Sequence, residues 1–362
     1  MRQVRSSSRR LFATSAVSVA LFGAGTLVAS VAPASAELAV CSPTLSVVDG
    51  QTVASFTTVG PCAWTVPTGA THIDVLVVGG GGSGGRSDER SVGGGGGGGV
   101  AVGENVTLSG AFVITVGAGG TNTQGCGPWP DTSNGGASSI SNSSYVTPGS
   151  EVEIIADGGA RGAGCSENET AASGGSGGGG HSDWVPNGGS ATKGSITNIS
   201  GVTLYGNDGG DGNATEGLAG GGGGGASAVG SAGAAGVGGN GGEGLSVEIT
   251  GTAVVYGSGG GALGTVSDGS GGTNAGDGRA AVVPTEAVNA YDGVANTGGG
   301  GGGAFEETSG AGGSGIVVIR YTPAATLPPT GSSSDTPLTV LAGGLVLLGA
   351  ALTTVRRRRT VV

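Results

Sequence analysis

The chain has 362 residues, 87 of them glycine, and its 14 basic and 25 acidic side chains give a formal net charge of −11. A chain this acidic repels phosphate backbones and anionic lipid, which argues against nucleic-acid binding. No segment repeats its apolar residues with a 3.6-residue period, and helix formers are scarce, so the pattern points away from helices.

The N-terminus reads MRQVRSSSRRLFATSAVSVALFGAGTLVASVAPASAELAV. Arg2, Arg5, Arg9 and Arg10 form a basic region, an apolar small-residue stretch follows, and Ala34 and Ala36 supply the −3 and −1 residues of a signal-peptidase site. Residues 1–36 are therefore expected to be a signal peptide, with Glu37 as the mature N-terminus. Ser8–Phe12 (SRRLF) also resembles a twin-arginine export signal, so the route stays open between that path and general secretion.

Residues 37–53 form a mature N-terminal segment and 54–321 a glycine-rich β-domain in this reading. The expected strands are TVASFTTV (52–59), HIDVLVVG (72–79), VAVGENVTL (100–108), AFVITVGA (111–118) and EVEIIAD (151–157). VTLYG, SVEITGTAVVYG (246–257), RAAVVP and GIVVIRY (315–321) follow. Several alternate apolar and polar residues as half-buried antiparallel strands do. The first and last runs are strong enough to pair with each other. Cys41, Cys62, Cys126 and Cys165 are an even set in an oxidising compartment and permit three pairings. Short loops favour Cys41–Cys62 with Cys126–Cys165.

Glycine tracts separate the strands, the longest uninterrupted one being the seven residues 93–99. Gly/Ser tracts can behave as flexible coil. These tracts are nearly pure glycine and regularly interleaved with strands, which favours polyglycine II, an extended helix of three residues per turn whose N–H groups bond carbonyls of neighbouring helices. Motifs such as GGSGG at 81–85 and 174–178 fit the nucleophile-elbow pattern. With only His72 and His181 as partners and no helix to carry either, they are expected to be products of composition. Asp208, Asp211 and Glu216 sit in one loop that suits calcium or plain solvation. Glu151 with Glu153, and Glu306 with Glu307, are expected to be surface acids. Trp64 opens a strand and is expected in the core. Trp129 (CGPWPD) and Trp184 (SDWVPN), with Tyr145 behind them, are the candidate ligand contacts, since exposed aromatic rings suit sugar faces or apolar partners.

SFTTVGPCAWTVPTGATHIDVLVVGGGGSGG, GAFVITVGAGG, ITGTAVVYGSGGGALG, NTGGGGGG and GGSGIVVIRY together resemble the bacterial and phage glycine-rich domain family. The Trp64–Pro67 stretch is also similar to the glycine-rich domain of anaplastic lymphoma kinase. The resemblance implies a mainly β, jelly-roll-like antiparallel sandwich with inserted polyglycine II helices.

The C-terminus adds LPPTG (Leu327, Pro328, Pro329, Thr330, Gly331), an uncharged apolar run at 338–355 and four arginines at the head of a basic tail, 356–362. Eighteen apolar residues are near the lower limit for a membrane-spanning helix, and the arginines would stay cytoplasmic. That order resembles the LPXTG cell-wall sorting signal of Gram-positive surface proteins. The resemblance implies that a sortase cysteine attacks the Thr330 carbonyl, releases Gly331 onward and transfers the chain to a peptidoglycan amine. Between Glu37 and Thr330, six basic residues face 24 acidic ones, a net of −18. The linker 322–326 reaches about 17 Å at most.

The expectation is a non-enzymatic surface protein displaying a rigid glycine-rich domain, with sortase and peptidoglycan as partners and no cofactor, metal or nucleic acid. The alternative is an adhesin that binds an extracellular glycan or protein through the tryptophan loops.

Overall fold

The computed structural model describes residues 38–88, 91–122, 133–164, 170–183, 186–215, 218–279, 290–305 and 308–325. The signal-peptide residues Ala34 and Ala36, the LPPTG motif, the apolar run, Cys126, Cys165, Trp129, Trp184, Glu216, Glu306 and Glu307 lie outside them. So does all of RAAVVP after Arg279.

Every element among the described residues is a strand. In chain order they are β1 (Thr44–Val48), β2 (Gln51–Phe56), β3 (Gly60–Thr65), β4 (Thr71–Val78) and β5 (Arg86–Ser87). Next come β6 (Val100–Val106), β7 (Ala111–Val116), β8 (Ser138–Ser141), β9 (Glu153–Ala156) and β10 (Gly194–Thr197). The chain continues with β11 (Val202–Tyr205), β12 (Leu245–Val247), β13 (Val254–Tyr256), β14 (Ala304–Phe305) and β15 (Ile316–Thr322).

Two antiparallel sheets carry the architecture, in the orders β1-β2-β15-β4-β6-β11 and β10-β9-β8-β7-β3. The first and last strong strands pair as expected, with Val317 opposite Phe56 and Tyr321 opposite Thr52. Side chains from both sheets share one buried cluster: Phe56, Val75, Val77 and Ile319 from the first, Phe112, Ile114, Ile140 and Ile154 from the second. Trp64 packs against this cluster, its ring edge-on to Phe56 at 5.7 Å.

The other face of the six-stranded sheet is covered too. Val53, Leu76, Val78, Ile316 and Val318 pack there with Ile249, from the connection between β12 and β13, and Tyr256, the last residue of β13. Burial on both faces is why β4 and β15 read as continuous apolar runs, VLVV and IVVI, where a one-sided strand would alternate. Asp74 is the acidic residue of β4. Its Oδ2 accepts from Arg320 Nη2 at 2.7 Å and Nε at 3.1 Å, and its Oδ1 accepts from the Asn105 N–H at 2.8 Å. The β4–β6 register shifts between Ile73 and Val75, so Asp74 ties β4, β6 and β15 together at an irregularity.

Two strand expectations need correction. SVEITGTAVVYG is a hairpin, not one strand: the chain turns between Glu248 and Gly251, whose N–H donates to the Glu248 carbonyl and whose φ is +90°. A left-handed residue in mid-run reverses the chain, which the β-branched composition hides. TVASFTTV ends its strand at Phe56, and the next strand begins at Gly60. Strands β8 (SSIS) and β10 (GSIT) escaped the sequence reading because serine and glycine dilute their apolar signal.

The Cys41–Cys62 disulfide is present, with Cα atoms 5.0 Å apart. It holds residues 39–41 against β3, where the Cys41 N–H donates to the Ala63 carbonyl and the Ala63 N–H to that of Ala39.

Candidate functional site

Among the described residues, the glycine runs leave the sheets at one end. Run 79–85 continues β4, 93–99 leads into β6, 117–120 continues β7, and 310–315 leads into β15. β15 then runs the other way, so the chain leaves the domain after Thr322 at the opposite end, beside the Pro67–Ala70 turn.

Residues 93–99 are all buried and sit at the middle of the glycine region. All seven N–H groups donate to other segments, and the partners repeat every third residue. Gly93, Gly96 and Gly99 donate to Ala163, Ala160 and Asp157; Gly94 and Gly97 to Gly221 and Gly224; Gly95 and Gly98 to Gly301 and Gly298. Three further segments donate to the run's carbonyls: Gly79, Gly82 and Gly85 to Gly99, Gly96 and Gly93; Ser176 and Gly179 to Gly97 and Gly94; Gly260 to Gly95. Six neighbours surround one central segment. A Cβ at Gly96 would meet the Ser176 carbonyl, one at Gly97 the Gly257 carbonyl and one at Gly98 the Gly79 carbonyl, so all three faces exclude a side chain.

The same three-residue repeat links the outer segments. Gly80 and Ser83 donate to Gly136 and Ser133, Gly81 and Gly84 to Gly313 and Gly310, and Gly220 and Gly223 to Leu263 and Gly260. Outer segments have a face without a glycine neighbour, and there alanine, serine, asparagine and aspartate enter.

Those polar residues have work that sequence reading did not assign. The Asp211 carboxylate accepts from the Gly188 N–H at 2.8 Å and that of Asp208 from the Ala191 N–H at 2.7 Å. Asp277 and Asp292 do the same for Gly271 and Ala311, as do the amide oxygens of Asn134 and Asn240 for Arg161 and Ser270. They terminate amides that face no further glycine segment. Asp208 and Asp211 are therefore occupied as acceptors, and among the described residues no group of three or more His, Cys, Asp or Glu gathers as a metal site. The recurring N-G, D-G and G-D pairs at the ends of glycine runs are the signal that would have found them.

Neither GGSGG forms a nucleophile elbow. Ser83 Oγ donates to the Ser133 carbonyl and accepts from its N–H, a rung between two segments. Ser176 is fully buried in the glycine region. His72 is exposed at a strand start, and His181 is buried, its Nδ1 accepting from the Asp183 N–H at 3.1 Å. Glu151 and Glu153 do not pair as a site: the Glu151 carboxylate accepts from the Gly149 N–H, while Glu153 begins β9.

The aromatic candidates are not brought together. Tyr145, 46% exposed, lies after β8 at the end of the sheets where β15 exits. The residues flanking the tryptophan loops lie within the glycine region: Ser133 beside Ser83, and Ser182 beside Ser91. A cavity of about 300 Å³ opens on the outer face of the six-stranded sheet, lined by Asp49, Asp74, Glu104, Glu248 and Arg320 with Val48 and Val102.

Against known families, residues 57–322 match the glycine-rich domain family, which spans most of the chain, and the protein belongs to it. Residues 321–361 match the LPXTG cell wall anchor motif. The chain is thus a secreted surface protein anchored to the cell wall, a motif that implies sortase processing and covalent attachment to peptidoglycan. No curated protein matches it.

Proposed function

We propose that this protein is a non-enzymatic wall component whose displayed part is a rigid polyglycine II bundle seated on a jelly-roll-like sandwich, with Thr330 as the residue joined to peptidoglycan. The observation that carries this reading is the three-residue hydrogen-bond repeat around 93–99, which matches three residues per turn. Segments bare of side chains bring no titratable groups to chemistry, and the acidic cavity lies apart from them on the six-stranded sheet. The interlocked segments offer stiffness, because moving one segment breaks bonds to several others at once. Amide exchange followed by mass spectrometry on the wall-released protein tests it: peptides covering 93–99 should exchange as slowly as those covering β4. Exchange within seconds would identify the runs as coil and end the proposal.

The adhesin reading has one observation in its favour. The described flanks of the Trp129 and Trp184 loops belong to the glycine region, away from the C-terminal exit, where an extracellular glycan or protein is reachable. Binding on a glycan array that disappears with Trp129→Ala or Trp184→Ala selects this reading; binding unchanged by both removes the tryptophans from it.

A further inference from the structure

Of the four strands that end the two large sheets, three have company. Residues 39–41 bond to β3 and are locked there by Cys41–Cys62, and β10 and β11 adjoin each other. β1 is different. Its only strand partner among the described residues is β2, in unbroken register from Thr44 to Val48.

The hairpin shows which groups are left over. β1 and β2 are joined by the two-residue turn Asp49-Gly50, with φ of +49° and +79°, the type I′ pattern. The flanking pair Val48–Gln51 in such a hairpin exchanges hydrogen bonds, and bonded pairs then alternate, giving Ser46–Val53 and Thr44–Ser55. The N–H and C=O of Leu45 and Val47 therefore point away from β2. Their side chains are on the same face as Ala54, the inner face, yet Leu45 is 62% and Val47 73% exposed. The six-stranded sheet overhangs the five-stranded one by this strand. Natural edges are usually blunted by charge, proline or a bulge, and TLSVV has none of these within it.

We infer that β1 is a self-association edge, paired antiparallel with β1 of a second copy about a two-fold axis at Ser46. The strand is self-complementary about that point. Leu45 of one copy lies opposite Val47 of the other on the inner face, and these are the pairs whose free backbone groups exchange hydrogen bonds. Thr44 lies opposite Val48. Asp49 falls opposite Pro43, so the two aspartates sit six residues apart along the paired strands, about 20 Å, beyond the screening length of about 8 Å at physiological salt, and do not repel strongly. The pairing is isologous and closes at two copies. It also suits a short tether. Ser46 is level with Val53 and Arg320, two residues short of Thr322, so both C-terminal exits stay close to the axis while the two glycine regions point in opposite directions. The inference goes beyond the structural reading above and does not depend on it.

Full-length chain displayed on a sortase-bearing Gram-positive cell and released by a muramidase provides the test. Cysteine substitutions report the pairing, because a non-hydrogen-bonded antiparallel pair brings two Cβ atoms within disulfide reach. Ser46→Cys should run at twice the monomer mass on a non-reducing gel and return to monomer on reduction. Thr203→Cys, on the exposed side of β11, should stay monomeric. Adding Val47→Lys to Ser46→Cys should lower the dimer fraction at least tenfold with no change in melting temperature, since Val47 is exposed. A monomeric Ser46→Cys protein of unchanged melting temperature overturns the inference, as does equal cross-linking at Thr203. Protein that stays with the membrane after muramidase treatment counts against the wall attachment alone, and the same gel can be run on it.

Discussion

A methyl group at Gly96 would collide with the Ser176 carbonyl oxygen and stand 2.7 Å from that of Gly177. There is no flexible side chain to give way, since both neighbours are backbone. Gly96→Ala is therefore expected to cost about 3 kcal/mol or more, at the upper end of overpacking effects, because separating the segments also breaks bonds between them. Gly110 is the contrast: its φ is +85° with open space around it, so Gly110→Ala carries only left-handed strain, about 1–2 kcal/mol. Denaturant midpoints of the two variants should fall in that order, and equal losses would refute the close-packing account. Tyr256 offers a second measurement. Burial beside the outer face of the six-stranded sheet raises its phenol above the ordinary value of about 10. The stability linked to keeping it neutral is fully present below the unfolded value and is lost as pH rises through the raised one. Unfolding curves should thus show stability falling above pH 10, less steeply in Tyr256→Phe.

Among the elements, strands and glycine segments depend on each other. A run of glycine loses more backbone entropy on ordering than other residues do. The strands set the starting positions of β4's and β6's glycine extensions, and the segment-to-segment bonds extend from there. Capping carboxylates complete the outer segments. Asp211→Ala strips the acceptor from the Gly188 amide and should lower stability by about 1 kcal/mol, whereas Asp211→Asn keeps an oxygen in place and should lose little. Equal losses in thermal melts would mean that charge, not the hydrogen bond, is what Asp211 supplies. Much of this scale was legible in advance. β4, β6, β7, β9, β11 and β15 follow runs of β-branched and apolar residues, and the Cys41–Cys62 pairing follows from a short loop. The β12–β13 turn and the short serine-bearing strands were not, because their signals lie in one glycine's φ and in pairing with distant neighbours.

For the whole molecule, the glycine region and the exit of the chain after Thr322 lie at opposite ends of the sheets. β15 delivers the chain at Thr322, and four residues separate it from Leu327. Thr330→Ala should leave the precursor in the membrane fraction, with no muramidase-released product on immunoblots. Wall release at the normal level would move the joining residue elsewhere. A tether this short accords better with the proposed coat element than with a long-stalked adhesin.

The wall address, the β character and the presence of an inter-segment glycine array could be read from composition and local pattern, because a sorting motif, strand propensity and the absence of side chains are all local properties. Which run lies at the centre, which carboxylates cap amides, and which strand is left with a free edge depended on the fold. Those features are set by contacts between residues tens to hundreds of positions apart, where one glycine run is indistinguishable from another until its neighbours are in place.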